Sequence, residues 1–286
     1  MRLLVENFEL RKKLGEEEAL RLIREAGFDG IDYSYYWSKD IVDLLGENYR
    51  EYAKYVKGLL EKYNLVCPQA HAPFDLCYGE QFNESEPHYL EIVRAMESAS
   101  ILGVKNIVVH AISIPDDVSD VSLEEYNLAF YNSLKPYCEK YNICVAVENL
   151  FDYDKKRKHY IGRIGSPKEL CSIINKLSSP YFSACIDLGH ASLTGFEPED
   201  FLLNMDAKLI ACLHIQDNDY LGDRHTLPFL GDLNWHKIID ALKTIDYHGD
   251  FTFEVFNYLK RIPNDLLVEA LNFAVAIGKY LISRFE

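Results

Sequence analysis

Six side chains recur at a steady pitch along this sequence: His71, His110, Glu148, Asp187, His214 and Glu254. The steps between them are 39, 38, 39, 27 and 40 residues. All six are imidazoles or carboxylates, the side chains that bind divalent metals and move protons. A single such residue is ordinarily a hydrogen-bonded polar group and nothing more. Six in phase are different. Gathered in one place without a cation, they would repel each other and lose hydration at a cost of many kcal/mol, which a bound divalent ion removes. Three more residues join the set. His190 follows Asp187 by three positions in C-I-D-L-G-H, so one tight turn supplies both. Asp223 and His225 form a D-R-H pair further on.

The elements that must position these residues follow from periodicity. Short apolar, β-branched runs at 2–6, 30–36, 66–71, 106–111, 143–149, 183–187, 209–215 and 251–256 predict strands. Their near-continuous hydrophobicity suits parallel strands buried on both faces. Amphipathic stretches between them predict helices at 16–26, 48–63, 86–102, 123–140, from 166 on, 235–245 and 264–282. Gly27 is placed to end the first, and Ser166-Pro167-Lys168-Glu169 has the capping-box pattern with proline at the first helical position. The stretch 191–207 predicts only a short helix. Eight strand-helix units in 286 residues predict a single-domain (β/α)8 TIM barrel over 1–286. The six pitched residues end their strands, so they converge on the C-terminal face, where such barrels carry their active sites. A doubly wound sheet is the alternative, disfavoured because no G-x-G-x-x-G follows an early strand.

Composition narrows the partners. Lys and Arg total 30 against 45 Asp and Glu, a formal charge of −15. That balance disfavours a nucleic-acid partner, which needs clustered basic residues. The one basic run, Lys155-Lys156-Arg157-Lys158-His159, reads as a solvated loop that can also meet a phosphate. Seven cysteines with wide spacing and no C-x-x-C pair read as reduced thiols. The N-terminal residues lack a signal-peptide core, and no uninterrupted apolar run reaches the roughly 18 residues of a membrane span. The expectation is a cytoplasmic protein with no membrane partner, with self-association into a homo-oligomer left open.

The motifs themselves carry a resemblance. H-A-P-F at 71–74, V-V-H-A at 108–111, V-E-N-L at 147–150, C-I-D-L-G-H at 185–190, H-I-Q-D-N at 214–218, D-R-H-x-L-P-x-x-G-D-L-N-W at 223–235 and F-E-V at 253–255 resemble the sugar isomerase and epimerase superfamily with a xylose-isomerase-like barrel. The resemblance covers most of the chain. It implies one divalent ion held by Glu148, Asp187, His214 and Glu254. It also implies that one or both glutamates handle protons beside a carbonyl, through a metal-stabilised enediolate. The substrate would be a sugar or sugar phosphate. Mixed nitrogen and oxygen ligation suits Mn2+, Mg2+, Co2+ or Zn2+. The same superfamily contains endonuclease IV-type abasic-site nucleases with a zinc cluster of up to three ions. Counterparts of their extra ligands would be His71, His110, His190, Asp223 and His225, which serve as substrate contacts in the isomerase reading. Dehydratase or lyase chemistry on a ketose or inosose shares the enediolate step. Tyr36 and Trp37, in the cluster Tyr33, Tyr35, Tyr36 and Trp37, are expected to wall the sugar site, with barrel packing as the rival role. Asn149 is expected to orient Glu148 or its loop.

Overall fold

The computed structural model describes residues 1–36, 41, 43–74, 83–113 and 122–285. Trp37 and Cys77 lie outside the described residues. Numbered in chain order, the strands are β1 (Leu3–Glu6), β2 (Gly30–Ser34), β3 (Val66–His71), β4 (Asn106–Val109), β5 (Cys144–Glu148), β6 (Leu150–Asp154), β7 (His159–Arg163), β8 (Phe182–Asp187), β9 (Ile210–His214) and β10 (Phe251–Phe253). Eight of them form one parallel sheet in the order β10-β1-β2-β3-β4-β5-β8-β9. The ends of that sheet meet where Ile215 bridges Phe253: Ile215 N–H donates to Thr252 O (2.8 Å) and Glu254 N–H to Ile215 O (3.1 Å). The sheet thereby curls into a TIM barrel, and its edges are covered by each other.

The helices between strands are α1 (Phe8–Leu14), α2 (Glu16–Ala26), α3 (Tyr49–Tyr63), α4 (Pro87–Leu102), α5 (Leu123–Tyr141), α6 (Pro167–Leu177), α7 (Leu188–Leu193), α8 (Pro198–Leu203), α9 (Trp235–Thr244), α10 (Phe256–Arg261) and α11 (Leu267–Phe285). Helix α2 buries Ala19, Leu20, Leu22 and Ile23 and ends at Gly27 in the left-handed region. In α6 the Ser166 hydroxyl accepts from Glu169 N–H, and Glu169 accepts in return from Ser166 N–H. Side chains alternate along each strand, so outward residues join the helices and inward ones fill the barrel. Tyr33 and Tyr35 go outward, with hydroxyls donating to Glu16 (3.0 Å) and Ser98 (2.8 Å). They are packing residues. Inside, the small side chains Val108, Ala146, Cys185 and Cys212 form their own apolar layer. The six described cysteines are all free.

Three strands stop short of the expected runs. Residues 35–36, 110–111 and 254–256 leave the ladder, and Phe256 begins α10. The stretch 191–207 carries α7 and α8, two short helices. The basic run 155–159 reads as loop in the sequence, and it joins the strands of an antiparallel hairpin, β6–β7, paired from Leu150–Arg163 to Asp154–His159. The basic run forms its exposed tip. Gly165 lets the hairpin fold back: a Cβ there would lie 2.8 Å from Leu150 O and 2.9 Å from Thr194 Cγ2. The segment 264–285 is long and apolar enough to cross a membrane by length and composition. Its Leu267, Leu271, Ala274, Val275 and Leu281 are buried, and α11 packs on β1, α2 and α9.

Candidate metal centre and cavity at the strand ends

Glu148 ends β5, Asp187 ends β8, His214 ends β9, and Glu254 follows β10 by one residue. One ligand atom from each lies within 4.8 Å of all the others. All four residues are buried. The carboxylates of Glu148 and Glu254 thus converge from strands three steps apart round the barrel. His214 holds the centre: Nδ1 is 2.8 Å from Glu148 Oε1 and 3.4 Å from Glu254 Oε2, and Nε2 is 3.2 Å from Asp32 Oδ2. Burial opposes charge on His214, but Glu254, Glu148 and Asp32 outweigh it and push its pKa well above the ordinary value. Burial likewise opposes charge on Glu148, and His214 with His110 hold it well below the carboxylate range. Asp187 is pushed up to about 6, chiefly by burial, against the pull of His190.

These contacts test the group as a cation site. Three carboxylates and one imidazole are the donor set of a hard to borderline divalent ion. Asp32 only accepts, so it fixes the proton on His214 Nε2 and leaves Nδ1 to face the cation, the orientation that metal-binding histidines take. Asp32 is itself held by Gln69 Nε2 (2.7 Å). Without a cation, the surrounding carboxylates favour the protonated imidazole of His214. The residues therefore fit a divalent ion.

Two further groups adjoin the first. His190, Asp223 and His225 offer ligand atoms within 4.8 Å of one another, as do His71, Glu148 and His214. Asp223 lies 3.6 Å from His190 Nε2 and 2.8 Å from His225 Nε2. Burial opposes charge on His190 and on His225, and Asp187 with Asp223 in the first case, Asp223 with Glu254 in the second, more than offset it; His190 rises well above its ordinary value and His225 to about 9. Gln216 ties the groups together, with Nε2 donating to Asp223 Oδ1 (2.8 Å) and Oε1 accepting from His225 N–H (2.9 Å). Gly189 makes room for it, since a Cβ there would fall 2.4 Å from the Gln216 amide carbon. Asn149 clamps β5 to β8 by exchanging bonds with Asp187 N–H and O (2.8 and 2.9 Å), and its carbonyl meets His190 Nδ1 (3.0 Å). His110 Nε2 is 2.8 Å from Glu148 Oε2 and 3.0 Å from His71 Nε2. Burial lowers the His110 pKa to about 4, so this imidazole is neutral at pH 7.

Above the groups is a cavity of about 320 Å3 lined by Tyr36, Phe74, Leu150, Phe151, Arg163 and Phe256 with the site histidines and acids. Tyr36 meets His71 edge-on (centroids 5.2 Å), and Phe256 stacks on His225 (4.0 Å). Seven of the nine pitched and paired acids and histidines line this cavity, and Asp187 and His214 join it through the group they form with Glu148 and Glu254. Asp32, Gln69, Gln216 and Arg163 belong to the same constellation and were missed in the sequence. Asp32 carried a signal: in Gly30-Ile31-Asp32-Tyr33-Ser34 the alternation turns it inward with the smaller residues. His88, His159, His236 and His248 stand away from the groups that can hold an ion.

The fold has known counterparts. The chain is 27% identical over 267 residues to the uncharacterized protein y4fM of Sinorhizobium fredii, covering 84% of this chain and 81% of that one. Among solved structures it superposes on a D-tagatose 3-epimerase-like protein with a TM-score of 0.77 at 22% identity, over 100% of this chain and 98% of the other. It also superposes on the 3-keto-D-glucoside 4-epimerase YcjR of E. coli (0.68, 19%, over 91% and 94%) and on the IolI protein with a bound zinc atom (0.68, 18%, over 100% and 98%). These likenesses repeat the barrel seen here. The model of the xylose isomerase-like TIM barrel family matches residues 20–276, from α2 to α11 and so through the ends of β5, β8, β9 and β10, and the chain belongs to that family.

Proposed function

We propose that this chain is a divalent-metal-dependent sugar isomerase or epimerase that moves a proton at the carbon beside a carbonyl. One observation carries the reading: Glu148, Asp187, His214 and Glu254 bring four ligand atoms within 4.8 Å at the floor of an aromatic-walled cavity. The structural neighbours named as epimerases, and the zinc atom in the IolI protein, support it. A divalent cation held by these four residues supplies Lewis-acid stabilisation of the oxygen that turns negative when the neighbouring proton leaves. Glu148 and Glu254, arriving from strands three steps apart round the barrel, take and return that proton. His110, neutral and 2.8 Å from Glu148 Oε2, holds the carboxylate's orientation. His71 and His190 offer ring nitrogens to substrate hydroxyls. Tyr36, Phe74, Phe151 and Phe256 exclude water and pack on the apolar face of a sugar ring.

The test is solvent deuterium entering ketoses beside the carbonyl in heavy water, read by NMR. Native protein is expected to exchange at least one of a panel of sugars, sugar phosphates and inosose-type ketones. Glu148→Gln and Glu254→Gln are expected to lose at least a hundredfold in rate, the loss on removing a positioned acid or base. If both variants exchange at the native rate, the roles are wrong. The second reading, a zinc-cluster nuclease, is favoured by the two adjoining groups of possible ligands. Cleavage of an abasic duplex by metal-loaded protein at low salt would favour it, and absence of cleavage removes it.

A further inference from the structure

Among the described residues that line the cavity, Arg163 is the one permanently charged cation. The hairpin brings it there. Arg163 ends β7 opposite Leu150, the first residue of β6, so pairing of the hairpin fixes its place beside the end of β5. Its guanidinium is aimed by three anchors: Nη1 donates to Ala111 O and Ser113 Oγ (both 3.1 Å), and Nη2 lies 3.2 Å from Asp152 Oδ1. Asp152 is half exposed, which weakens its hold on the guanidinium. Two N–H donors are left over. One is on Nη2, and the other is Nε–H, which is buried with no acceptor among the described residues. Ala111 and Ser113 lie after β4 and Asp152 lies in β6, while His190, Asp223 and His225 come from the segments after β8 and β9. Arg163, Glu148 and those groups line the same cavity, and Arg163 is in none of the groups that can hold an ion.

A hydroxyl-bearing neutral sugar does not need a fixed, always-charged donor, whereas an oxyanion does. The guanidinium fork matches the oxygens of a phosphate or carboxylate and keeps its charge at every working pH. The basic run at the hairpin tip is exposed and lies outside the cavity lining, so it does not compete for this role. We propose that Arg163 selects substrates carrying an oxyanion, a phosphate or a carboxylate, at the end of the sugar remote from the reacting carbonyl. This rests on the sugar reading given above and names its substrate class.

The experiment is calorimetric binding to metal-loaded native protein, Arg163→Gln and Arg163→Lys, with melting midpoints as a fold control. The probes are D-fructose 6-phosphate and D-ribulose 5-phosphate for phosphate, D-fructuronate for carboxylate, and D-fructose and D-ribulose as neutral partners. At least one oxyanion probe is expected to bind native protein tenfold or more tightly than its neutral partner. Arg163→Gln is expected to erase that preference while leaving the neutral sugars within twofold, and Arg163→Lys to restore part of it. The proposal is overturned if neutral and anionic probes bind native protein alike, if none binds, or if Arg163→Gln weakens both kinds equally, as loss of a hairpin anchor would. Binding needs no turnover. Failure of the proton-transfer reading would appear in the exchange assay of Glu148→Gln while the preference persisted.

Discussion

Asp32 gives the sharpest test of how the centre is built, because it should matter without touching the ion. It is fully buried, with Oδ2 3.2 Å from His214 Nε2 and 2.7 Å from Gln69 Nε2. Asp32→Asn keeps the size and one acceptor oxygen, removes the charge and turns the other oxygen into an NH2 donor. A hydrogen bond to a charged group contributes about 1.5–3 kcal/mol against about 1 for a neutral pair, so roughly 1–2 kcal/mol of hold on Nε2–H is lost. In cation-free protein a proton on Nδ1 also benefits from Asp32, which offsets part of the loss. A doubly charged ion benefits more than a proton, so the sign stands and metal affinity falls. The expected net loss is about tenfold, or about 1.4 kcal/mol, the low end of what removing such an outer partner costs. The assay is titration of metal-stripped protein with Mn2+ or Zn2+ against a chelating dye, with melting of the stripped proteins as control. If a folded Asp32→Asn binds the ion as tightly as native protein, His214 is not a ligand oriented by Asp32.

Metal binding should also depend on pH. Asp187 sits near 6 through burial, and His214 is held protonated above its ordinary 6.5, so an incoming cation displaces protons. Affinity is expected to rise from pH 5 to 8, by up to about tenfold per pH unit for each proton displaced, and a flat profile in the same titration would contradict this. Away from the site, Glu97 is lowered from 4.5 to about 2, mainly by the Arg50 hydrogen bond, with Tyr49 and Tyr141 also donating. A depressed carboxylate contributes stability above pH 4.5 that is lost as pH falls towards 2. Because Arg50 is half exposed, screening leaves about 1 kcal/mol; urea unfolding of Glu97→Gln should show that deficit at pH 7 and a smaller one at pH 3.5, and an unchanged deficit would rule the ion pair out as its source.

What the sequence made legible was whatever has a period. The barrel strands are buried on both faces and show as unbroken apolar runs, and their ends repeat with the unit length, so His71, His110, Glu148, Asp187, His214 and Glu254 stood out together. The hairpin β6–β7 did not, because a solvated two-stranded ribbon with a basic tip has the polarity of a loop. Arg163 was hidden with it. Helix α1 is a seven-residue helix between a strand and Gly15, too short to display a stripe. Gln216 and Asp32 lie off the strand-end pitch, one just past β9 and one inside β2, and uncharged or isolated positions carry no spacing signal. Tyr33 and Tyr36 differ for a related reason: alternation sends the first outward to Glu16, and the strand has ended before the second turns over the mouth.

The central claim is that Glu148, Asp187, His214 and Glu254 hold a divalent ion that proton transfer on a sugar requires. Its most direct measurement is the rate of deuterium exchange beside the carbonyl of a responsive ketose, followed while metal-stripped protein is titrated with Mn2+ or Zn2+. Exchange is expected to be negligible in the stripped protein and to climb with the ion until it levels off near one equivalent per chain. Undiminished exchange in folded, metal-free protein would contradict it.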